Sequence, residues 1–241
     1  MGVRKRGHID SFAQYIEAVQ GWVEDAREAS GGTQPLFLLG HSLGGLIAVR
    51  YVQSLGYTEQ SRGCAWQSAG YLEQLAVQQA EQSAAQPAGL TGLTLTSPCL
   101  ARKVQIPPWK VRLAQWLDRA WPTLIMPNGI RADMVSRDEA VQAAYRSDPL
   151  NYAKVSVRWF QELQRAMEAA WKDREGLSLP ILIHQAGDDA LIVVDAVERF
   201  AAGLSSAEFH RWPGLRHEVL NEPEREQVMR QMEAWMNRVA S

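Results

Sequence analysis

Leu36-Phe37-Leu38-Leu39-Gly40-His41-Ser42-Leu43-Gly44-Gly45 is the stretch that decides the fold of this 241-residue chain. Its first four residues form an apolar run of strand length, and residues 46–52 behind it have the composition of a helix that enters the core. A Gly-x-Ser-x-Gly turn joins them, and its glycines lack the Cβ atoms that would clash in a tight turn. Such a turn lifts a serine hydroxyl above the sheet, so Ser42 is the candidate nucleophile. The backbone N–H of Leu43 is the candidate donor to a developing oxyanion.

A serine nucleophile needs two partners, because its hydroxyl reacts poorly unless a base takes the proton and an acid orients that base. His217 follows a Pro-Gly turn in the loop after the last predicted strand, which is the context expected for the base. For the acid, Asp188 and Asp189 compete at the end of the predicted strand 179–185. Asp189 is favoured because a short apolar connection, residues 191–193, follows it.

Other acidic and histidine residues have structural explanations. Asp195 begins a predicted helix over residues 195–204, and Glu198 follows three residues later, a capping arrangement. His41 is expected to point away from the turn by strand alternation, and His184 lies within a predicted strand. None of these residues is therefore assigned a part in the chemistry.

Strands alternate with helices along the chain, which predicts a mostly parallel, doubly wound sheet of the α/β class. An amphipathic helix is expected over residues 9–29, capped by Asp10 or Ser11. A final helix is expected to begin at Asn221, with Glu224 completing a capping box. The predicted strands are residues 36–39, 90–96, 179–185 and 207–212. Ligands of such sheets bind at the carboxyl ends of strands, where the serine, acid and histidine candidates all lie.

Two segments interrupt this alternation and set the expected domain organisation. Residues 56–89 are rich in Gln, Ala and Ser and are interpreted as a surface insertion. Residues 98–175 show helical patterns, no convincing strand and five of the nine tryptophans, which are Trp109, Trp116, Trp121, Trp159 and Trp171. They are interpreted as a helical cap inserted into a core made of residues 1–97 and 176–241. The tryptophans either line a slot for an apolar substrate or pack the cap helices on the core.

Composition limits the classes of function. The chain is 46% hydrophobic and 22% charged, as in soluble globular proteins, and a net charge of −2 offers no basic field for nucleic acid. Cys64 and Cys99 have no metal-binding or redox spacing and are expected to be reduced thiols. No apolar run approaches the ~18 residues of a membrane span, and no signal peptide is recognised. A cytoplasmic location without metal or cofactor is therefore expected.

Several motifs resemble those of the monoacylglycerol lipase/lysophospholipase branch of the α/β-hydrolases, which is serine aminopeptidase-like. They are Arg6-Gly7-His8-Ile9-Asp10-Ser11-Phe12, Gly40-His41-Ser42-Leu43-Gly44-Gly45, Thr96-Ser97-Pro98, Ser136-Arg137-Asp138, Asp148-Pro149-Leu150 through Arg158-Trp159-Phe160, Gln185-Ala186-Gly187-Asp188-Asp189 and Arg216-His217-Glu218. The resemblance covers nearly the whole chain except 56–89. It implies Ser42, Asp189 and His217 as a catalytic triad, a helical cap over a hydrophobic tunnel, and a single-chain acyl ester as substrate.

The chain departs from this family at its N-terminal side. The family usually has an eight-stranded sheet, whereas four strands are counted here, so an N-terminally truncated α/β-hydrolase fold is expected, with strand 36–39 at an open edge. The part not found normally carries a His-Gly loop with the second oxyanion donor, whose loss costs ~10²–10³ in rate. Two hypotheses follow. One is a serine ester hydrolase of monoacylglycerols or lysophospholipids that touches a membrane surface transiently through its cap; the other is a truncated, non-catalytic or weakly active binding module.

Overall fold

The computed structural model describes residues 5–55, 89–103 and 107–241, and the features below concern these residues. In chain order, the elements are α1 (Ala13–Ala29), β1 (Phe37–His41), α2 (Leu43–Leu55), β2 (Gly92–Thr96), α3 (Pro108–Ala120), β3 (Ile125–Pro127), α4 (Ala132–Val135), α5 (Glu139–Ser147), β4 (Lys154–Ser156), α6 (Val157–Lys172), β5 (Ile181–Ala186), α7 (Val194–Ala202), β6 (Ala207–Trp212) and α8 (Arg225–Ala240). The predicted 56–89 insertion lies almost entirely outside the described residues.

Four parallel strands form the central sheet in the order β1-β2-β5-β6. The predicted α/β class and the parallel direction of the strands are therefore confirmed. Among the described strands, β1 pairs with β2 alone, so it lies at an edge of this sheet. Leu39 in β1 is accordingly 45% exposed, although it is a large apolar residue in a strand.

Helices cover both faces of the sheet, as strand alternation requires. Ile181 and Ile183 of β5 belong to the main core, which includes buried residues of α1, α2, α6 and α7. Leu182, on the opposite face, packs with Met232 and Trp235 of α8. No described helix is long and apolar enough to cross a membrane. The carboxyl ends of the strands remain as the edge of the sheet where side chains from several loops meet.

The segment between β2 and β5, residues 98–175, contains two strands that the sequence did not predict. β3 and β4 form an antiparallel pair in which Met126 lies opposite Val155. Each strand has three residues, too few for a two-residue periodicity to stand out from the surrounding helical patterns. The rest of this inserted segment is mostly helical.

Helix starts were predicted less well than helix positions. α1 begins at Ala13 rather than at residue 9, and its N-cap is Phe12 without a side-chain cap, so neither Asp10 nor Ser11 is the N-cap residue. α8 begins at Arg225, and Asn221 ends a preceding 3₁₀ turn instead of capping it. Glu224 forms an ion pair with Arg137. The capping box is therefore wrong, because its acidic side chain is used by a distant arginine.

The capping role predicted for Asp195 is also wrong. α7 begins at Val194, its N-cap is Val193, and no side chain caps it. Asp195 lies in the first turn, where a negative charge is favourable near the helix N-terminus, and pairs with Arg211 at 3.4 Å. The Asp195–Glu198 spacing therefore predicted the start of the helix to within one residue, although Asp195 does not cap it.

Candidate active site

The turn that carries Ser42 has the strained backbone that the Gly-x-Ser-x-Gly pattern predicts. Ser42 has a φ of 51°, in the left-handed region that non-glycine residues rarely adopt. A Cβ atom added to Gly40 would lie 2.6 Å from the carbonyl oxygen of Gly44. One added to Gly45 would lie 2.8 Å from Cβ of Pro98. Close backbone contacts, which only glycines permit, therefore present the serine at the carboxyl end of β1.

The end of β2 and the loop after it hold this turn. The N–H of Ser42 donates to the carbonyl oxygen of Thr96 at 3.0 Å, and the N–H of Cys99 donates to the carbonyl oxygen of Ser42 at 2.9 Å. Both main-chain polar groups of Ser42 are therefore satisfied, although its conformation is that of a sharp turn. The backbone of the candidate nucleophile is fixed, while its side chain is only half-buried.

Asp189 and His217 lie in direct contact. Nδ1 of His217 and Oδ2 of Asp189 are 2.8 Å apart, and both residues are buried. Oδ1 of Asp189 accepts the N–H groups of Leu191 at 2.8 Å and Ile192 at 2.9 Å. Nε2 of Gln185 also donates to Oδ2 at 3.1 Å, a contact that sequence reasoning missed. Nδ1 of the imidazole thus faces the carboxylate, so Nε2 is the nitrogen available to act as a base.

The charge of the Asp189 carboxyl group follows from these contacts. Burial would raise its pKa, but the hydrogen bond and charge of His217, together with two backbone N–H groups, hold the pKa below its usual value. The carboxylate therefore stays ionised beside the imidazole. Asp188, the competing candidate, has an exposed side chain, and its backbone N–H donates to the carbonyl oxygen of Leu215 at 3.0 Å. This geometry favours Asp189 as the orienting acid.

His41 lies against His217, contrary to the expectation that it points away from the site. The centroids of the two rings are 4.9 Å apart, and Nδ1 of His41 lies 2.9 Å from Oγ1 of Thr96. Burial, and then the neighbouring His217, lower the pKa of His41 to about 4, so its ring is neutral at pH 7. Strand alternation gives the face of the sheet on which a side chain lies, but not the loop that folds over that face.

Ser42 and His217 lie at the same end of the sheet. His41, which precedes Ser42 in the chain, packs on the ring of His217. The hydrogen bond described for the His217 side chain goes to Asp189, and none is described to Oγ of Ser42. Such contacts are often long before substrate binds. Leu43 is the first residue of α2, and the first N–H groups of a helix have no intrahelical partner. Its N–H is therefore available to an oxyanion.

A strained serine turn beside a buried acid–histidine pair is a feature of several hydrolase families, and a family comparison separates them. The family described as serine aminopeptidase, S33, matches residues 2–86 and 75–224. The chain belongs to this family. Phospholipase YtpA of Bacillus subtilis is similar to this chain. The two are 35% identical over 235 residues, which are 96% of this chain and 78% of that protein.

Two further proteins are similar to this S33-family chain. A monoacylglycerol lipase of Mycolicibacterium smegmatis is 26% identical over 235 residues, 96% of this chain and 72% of that protein. The crystal structure of the Paleococcus ferrophilus monoacylglycerol lipase matches with a TM-score of 0.75 at 24% identity, over 98% of this chain and 78% of that one. At that identity, the structural likeness speaks for the fold alone. The α/β-hydrolase fold and the resemblance to the monoacylglycerol lipase/lysophospholipase branch are confirmed.

The tryptophans of the inserted segment fall into two groups in this S33-family protein. Trp159 and Trp171 are partly buried against the main core, and their indole N–H groups donate to Oη of Tyr15 and to the carbonyl oxygen of Leu100, each at 2.9 Å. The others are more than half exposed; they are Trp109, Trp116 and Trp121. Two tryptophans therefore fasten the segment to the core, while three face outward.

The described part of the chain offers neither a cluster of metal ligands nor a reactive thiol. No group of three or more His, Cys, Asp or Glu side chains there could hold a metal ion. Cys99 is a buried free thiol, and burial raises its pKa to about 11, so it is a poor nucleophile at neutral pH. Cys64 lies outside the described residues.

Proposed function

We propose that this ester hydrolase cleaves single-chain acyl esters, a monoacylglycerol or a lysophospholipid, through Ser42, His217 and Asp189. The observation that carries the proposal is the buried hydrogen bond of 2.8 Å between Asp189 and His217, at the same end of the sheet as a serine in the left-handed conformation. A buried acid that fixes one imidazole nitrogen leaves the other to accept a proton. This is the arrangement that an otherwise unreactive serine hydroxyl requires.

Acyl transfer to water would run in two halves. Oγ of Ser42 bonds to the ester carbonyl carbon while Nε2 of His217 takes the hydroxyl proton, and the N–H of Leu43 donates to the oxyanion. Collapse breaks the bond to the alcohol, which leaves with the proton from His217. Water then attacks the acyl-enzyme with the same base, releases the fatty acid and restores Ser42. Asp189 stays ionised throughout and stabilises the imidazolium cation.

The substrate class is inferred from the names of two relatives. One relative is named as a phospholipase and another as a monoacylglycerol lipase. Phospholipids and monoacylglycerols, the substrates in these two names, are both esters of fatty acids, so the acyl chain is the element that they share. We infer that the acyl group is what this protein recognises, and that the identity of the polar head group distinguishes the two substrate classes.

Residues 98–175 are included in this proposal as a cap on the core formed by residues 1–97 and 176–241. Two contacts between α2 and the end of α6 support a fixed attachment. Arg50 pairs with Asp173 at 2.7 Å, and Nε2 of Gln53 donates to the carbonyl oxygen of Ala170 at 2.9 Å. A cap fixed at one end can cover an apolar acyl-chain site while its outer surface meets lipid.

A transient contact with a lipid surface is proposed for α3. Trp109, Leu113 and Trp116 follow one another at four- and three-residue spacing, which places them on one side of the helix. They are 62%, 46% and 64% exposed, and Trp121 just beyond the helix is 61% exposed. Tryptophan is enriched where proteins meet the boundary between lipid and water. A cytoplasmic location stays a prediction, since exposed tryptophans do not select a compartment.

Hydrolysis of defined esters tests the catalytic part of the proposal. We expect the protein to release fatty acid from a monoacylglycerol, from a lysophospholipid, or from both, and to cleave p-nitrophenyl esters of matching chain length. Ser42→Ala should lose at least ~10³-fold in kcat. Full activity in Ser42→Ala would remove the serine from the mechanism. No turnover by the unaltered protein would favour the alternative of a truncated, non-catalytic or weakly active binding module.

Vesicles test the lipid contact separately. The double variant Trp109→Ser/Trp116→Ser should hydrolyse a soluble p-nitrophenyl ester normally, but should bind less to phospholipid vesicles and hydrolyse less of a vesicle-embedded monoacylglycerol. Trp22→Ser is the matched control, because Trp22 is equally exposed, at 69%, but lies on α1. Equal vesicle binding by all three proteins would contradict the assignment of α3 as the lipid-facing helix.

A further inference from the structure

The loop that carries His217, residues 213–218, is joined to a short piece of the inserted segment, residues 133–137. We call the first the histidine loop and the second the 133–137 segment. The guanidinium Nη1 of Arg216 donates to the carbonyl oxygen of Asp133 at 2.7 Å and to that of Ser136 at 3.2 Å. One side chain next to His217 in the chain therefore spans from the histidine loop to two backbone acceptors of the inserted segment.

The residue on the other side of His217 is joined to the same place. The N–H of Glu218 donates to the carbonyl oxygen of Val135 at 2.8 Å. A little further along, Oγ of Ser136 donates to the carbonyl oxygen of Asn221 at 2.9 Å. Val135, Ser136 and His217 are all buried, so water competes less for the hydrogen bonds to Val135 and Ser136 than for the exposed bond between Arg216 and Asp133. His217 is thus flanked on both sides by residues that contact the 133–137 segment.

An ion pair between the partly exposed Arg137 and the buried Glu222 fixes the 133–137 segment itself. Both carboxylate oxygens of the fully buried Glu222 accept hydrogen bonds from Arg137, Oε1 from the backbone N–H at 2.6 Å and Oε2 from the guanidinium. The same guanidinium reaches Glu224. Shifting the segment would leave the Glu222 charge buried without its partner, which is strongly unfavourable. The acceptors for Arg216 are therefore held at a defined position.

The histidine loop has little internal support of its own. It lies between the end of β6 and a 3₁₀ turn at Val219–Asn221, so no helix or strand ladder sets the position of His217. Beyond the segment contacts, the N–H of Asp188 donates to the carbonyl oxygen of Leu215 at 3.0 Å. The Asp189 bond fixes one ring nitrogen, and the residues two positions before and after His217, Leu215 and Val219, pack in a small buried apolar cluster with Ala186 and Val228. The position of Nε2 then depends on what holds the flanking residues.

We propose that Arg216 is a positioning residue, which holds His217 in the orientation where Nε2 faces Ser42. The inference rests on the proposed role of His217 as the base. Arg216 does not contact the reacting atoms and acts on His217 only through the backbone of the histidine loop. A displacement of about 1 Å at a reacting group can lower a rate by ~10²-fold, so a small tilt of the loop is enough to matter.

Three variants separate positioning from general destabilisation. Arg216→Met keeps the aliphatic stem but removes every donor, and we expect kcat for a soluble p-nitrophenyl ester to fall by ~10- to 100-fold with KM nearly unchanged. Arg216→Lys keeps a charged donor that can reach a carbonyl oxygen and should recover much of the loss. Arg211→Met is the matched control, because Arg211 lies on the neighbouring β6 and pairs only with the surface residues Asp195 and Glu198 among the described residues.

A spectroscopic measurement tests the loop directly. The proton between Nδ1 of His217 and Asp189 should give a far-downfield proton resonance in the unaltered protein and in Arg211→Met. In Arg216→Met this signal should broaden or disappear through exchange with water, while the thermal unfolding midpoint stays close to that of Arg211→Met. A normal kcat and an intact signal in Arg216→Met would overturn the proposal, as would a loss of kcat that Arg216→Lys does not recover at all.

Failure of this inference is distinguishable from failure of the proposed function. If Ser42→Ala and His217→Ala abolish activity but Arg216→Met does not lower it, His217 is the base and Arg216 does not position it. If Ser42→Ala or His217→Ala is fully active, the proposed function fails, whatever Arg216→Met does.

Discussion

Two loops at the carboxyl end of the sheet hold neighbouring functional groups by different means. The acid loop, residues 187–193, supports Asp189 from within, because its carboxylate accepts the N–H groups of residues two and three positions later in the same loop. The histidine loop is instead supported by a segment distant in the chain, since Arg216 contacts Asp133, 83 residues earlier. The orientation of the acid's carboxylate is therefore set largely by backbone groups of its own loop, whereas the loop of the histidine also depends on contacts with the inserted segment.

This difference has a consequence for mutational sensitivity. A change in the acid loop should affect the chemistry of the pair while the fold remains. A change in the 133–137 segment should affect stability and activity together, because the segment carries both the ion pair to the buried Glu222 and the support of the histidine loop. The predictions that follow test these expectations, from the largest effect to the smallest.

The largest effect is expected for Asp189→Asn. The amide keeps an oxygen for the N–H groups of the acid loop, so the fold should be retained, but it cannot stabilise the imidazolium cation. We expect kcat to fall by ~10⁴-fold, the size of the effect for such an acid in a triad. Ester hydrolysis and the circular dichroism spectrum measure the two quantities. Asp188→Asn should stay within a few-fold of the unaltered protein; a larger loss there would reopen the choice between the two aspartates.

The next effect is a loss of stability in Arg137→Met. Removing the guanidinium leaves Oε2 of the buried Glu222 carboxylate without its donor, while the backbone N–H of residue 137 stays on Oε1. Because the arginine is partly exposed, we expect the free energy of unfolding to fall by about 1–3 kcal/mol. Chemical denaturation measures this value. Arg137→Met/Glu222→Gln should regain part of the loss, since the buried charge is gone. Lys103→Met is the acid-loop counterpart: it removes only the donor to the carbonyl oxygen of Asp189 and should cost about 1 kcal/mol or less.

The effect that is smallest at neutral pH concerns His41, because it grows only as the pH becomes acidic. Its pKa is lowered to about 4 in the folded protein, against ~6.5 in an unfolded chain. Between these values the unfolded state binds the proton and the folded state does not, so stability falls as pH decreases from about 6.5 towards 4, by about 1.4 kcal/mol per pH unit for this histidine. His41→Gln should flatten the slope by that amount.

Denaturation at several pH values checks this prediction, and the core provides an internal comparison. His184 also has its pKa lowered to about 4, by burial and then by His210, so it contributes a slope of the same sign that His41→Gln leaves in place. An unchanged slope in His41→Gln would mean that the ring of His41 takes up its proton in the folded protein and does not lie buried against His217.

The parts of the fold that followed from the sequence are those set by local constraints. The strained turn at Ser42 was predictable because glycines flank the serine where a Cβ atom would collide with the backbone. The strands β1, β2 and β5 were predictable because each is a largely apolar run with clear ends, and β6 because Pro213-Gly214 follows it. Asp189 could be favoured over Asp188 because the apolar connection that follows determines which carboxylate turns inward.

The parts that did not follow depend on residues distant in the chain. Glu224 had the spacing of a helix cap, but the nearby guanidinium of Arg137 offers a charged partner, and charge-assisted hydrogen bonds are the stronger ones. The packing of His41 on His217 required knowing which loop lies over that face of the sheet. The contact between the inserted segment and the histidine loop had no local signal, because its acceptors are backbone carbonyl oxygens, which every residue type carries.

The buried thiol beside the serine turn offers a built-in reporter of the turn's integrity. The N–H of Cys99 holds the carbonyl oxygen of Ser42, and the thiol is protonated at neutral pH because burial raises its pKa to about 11. Alkylating reagents attack thiolates, so Cys99 should label only when the turn and the end of β2 separate. The rate at which a peptide containing Cys99 gains an alkyl group, followed by mass spectrometry, would therefore measure the opening of the turn in the protein without any substitution.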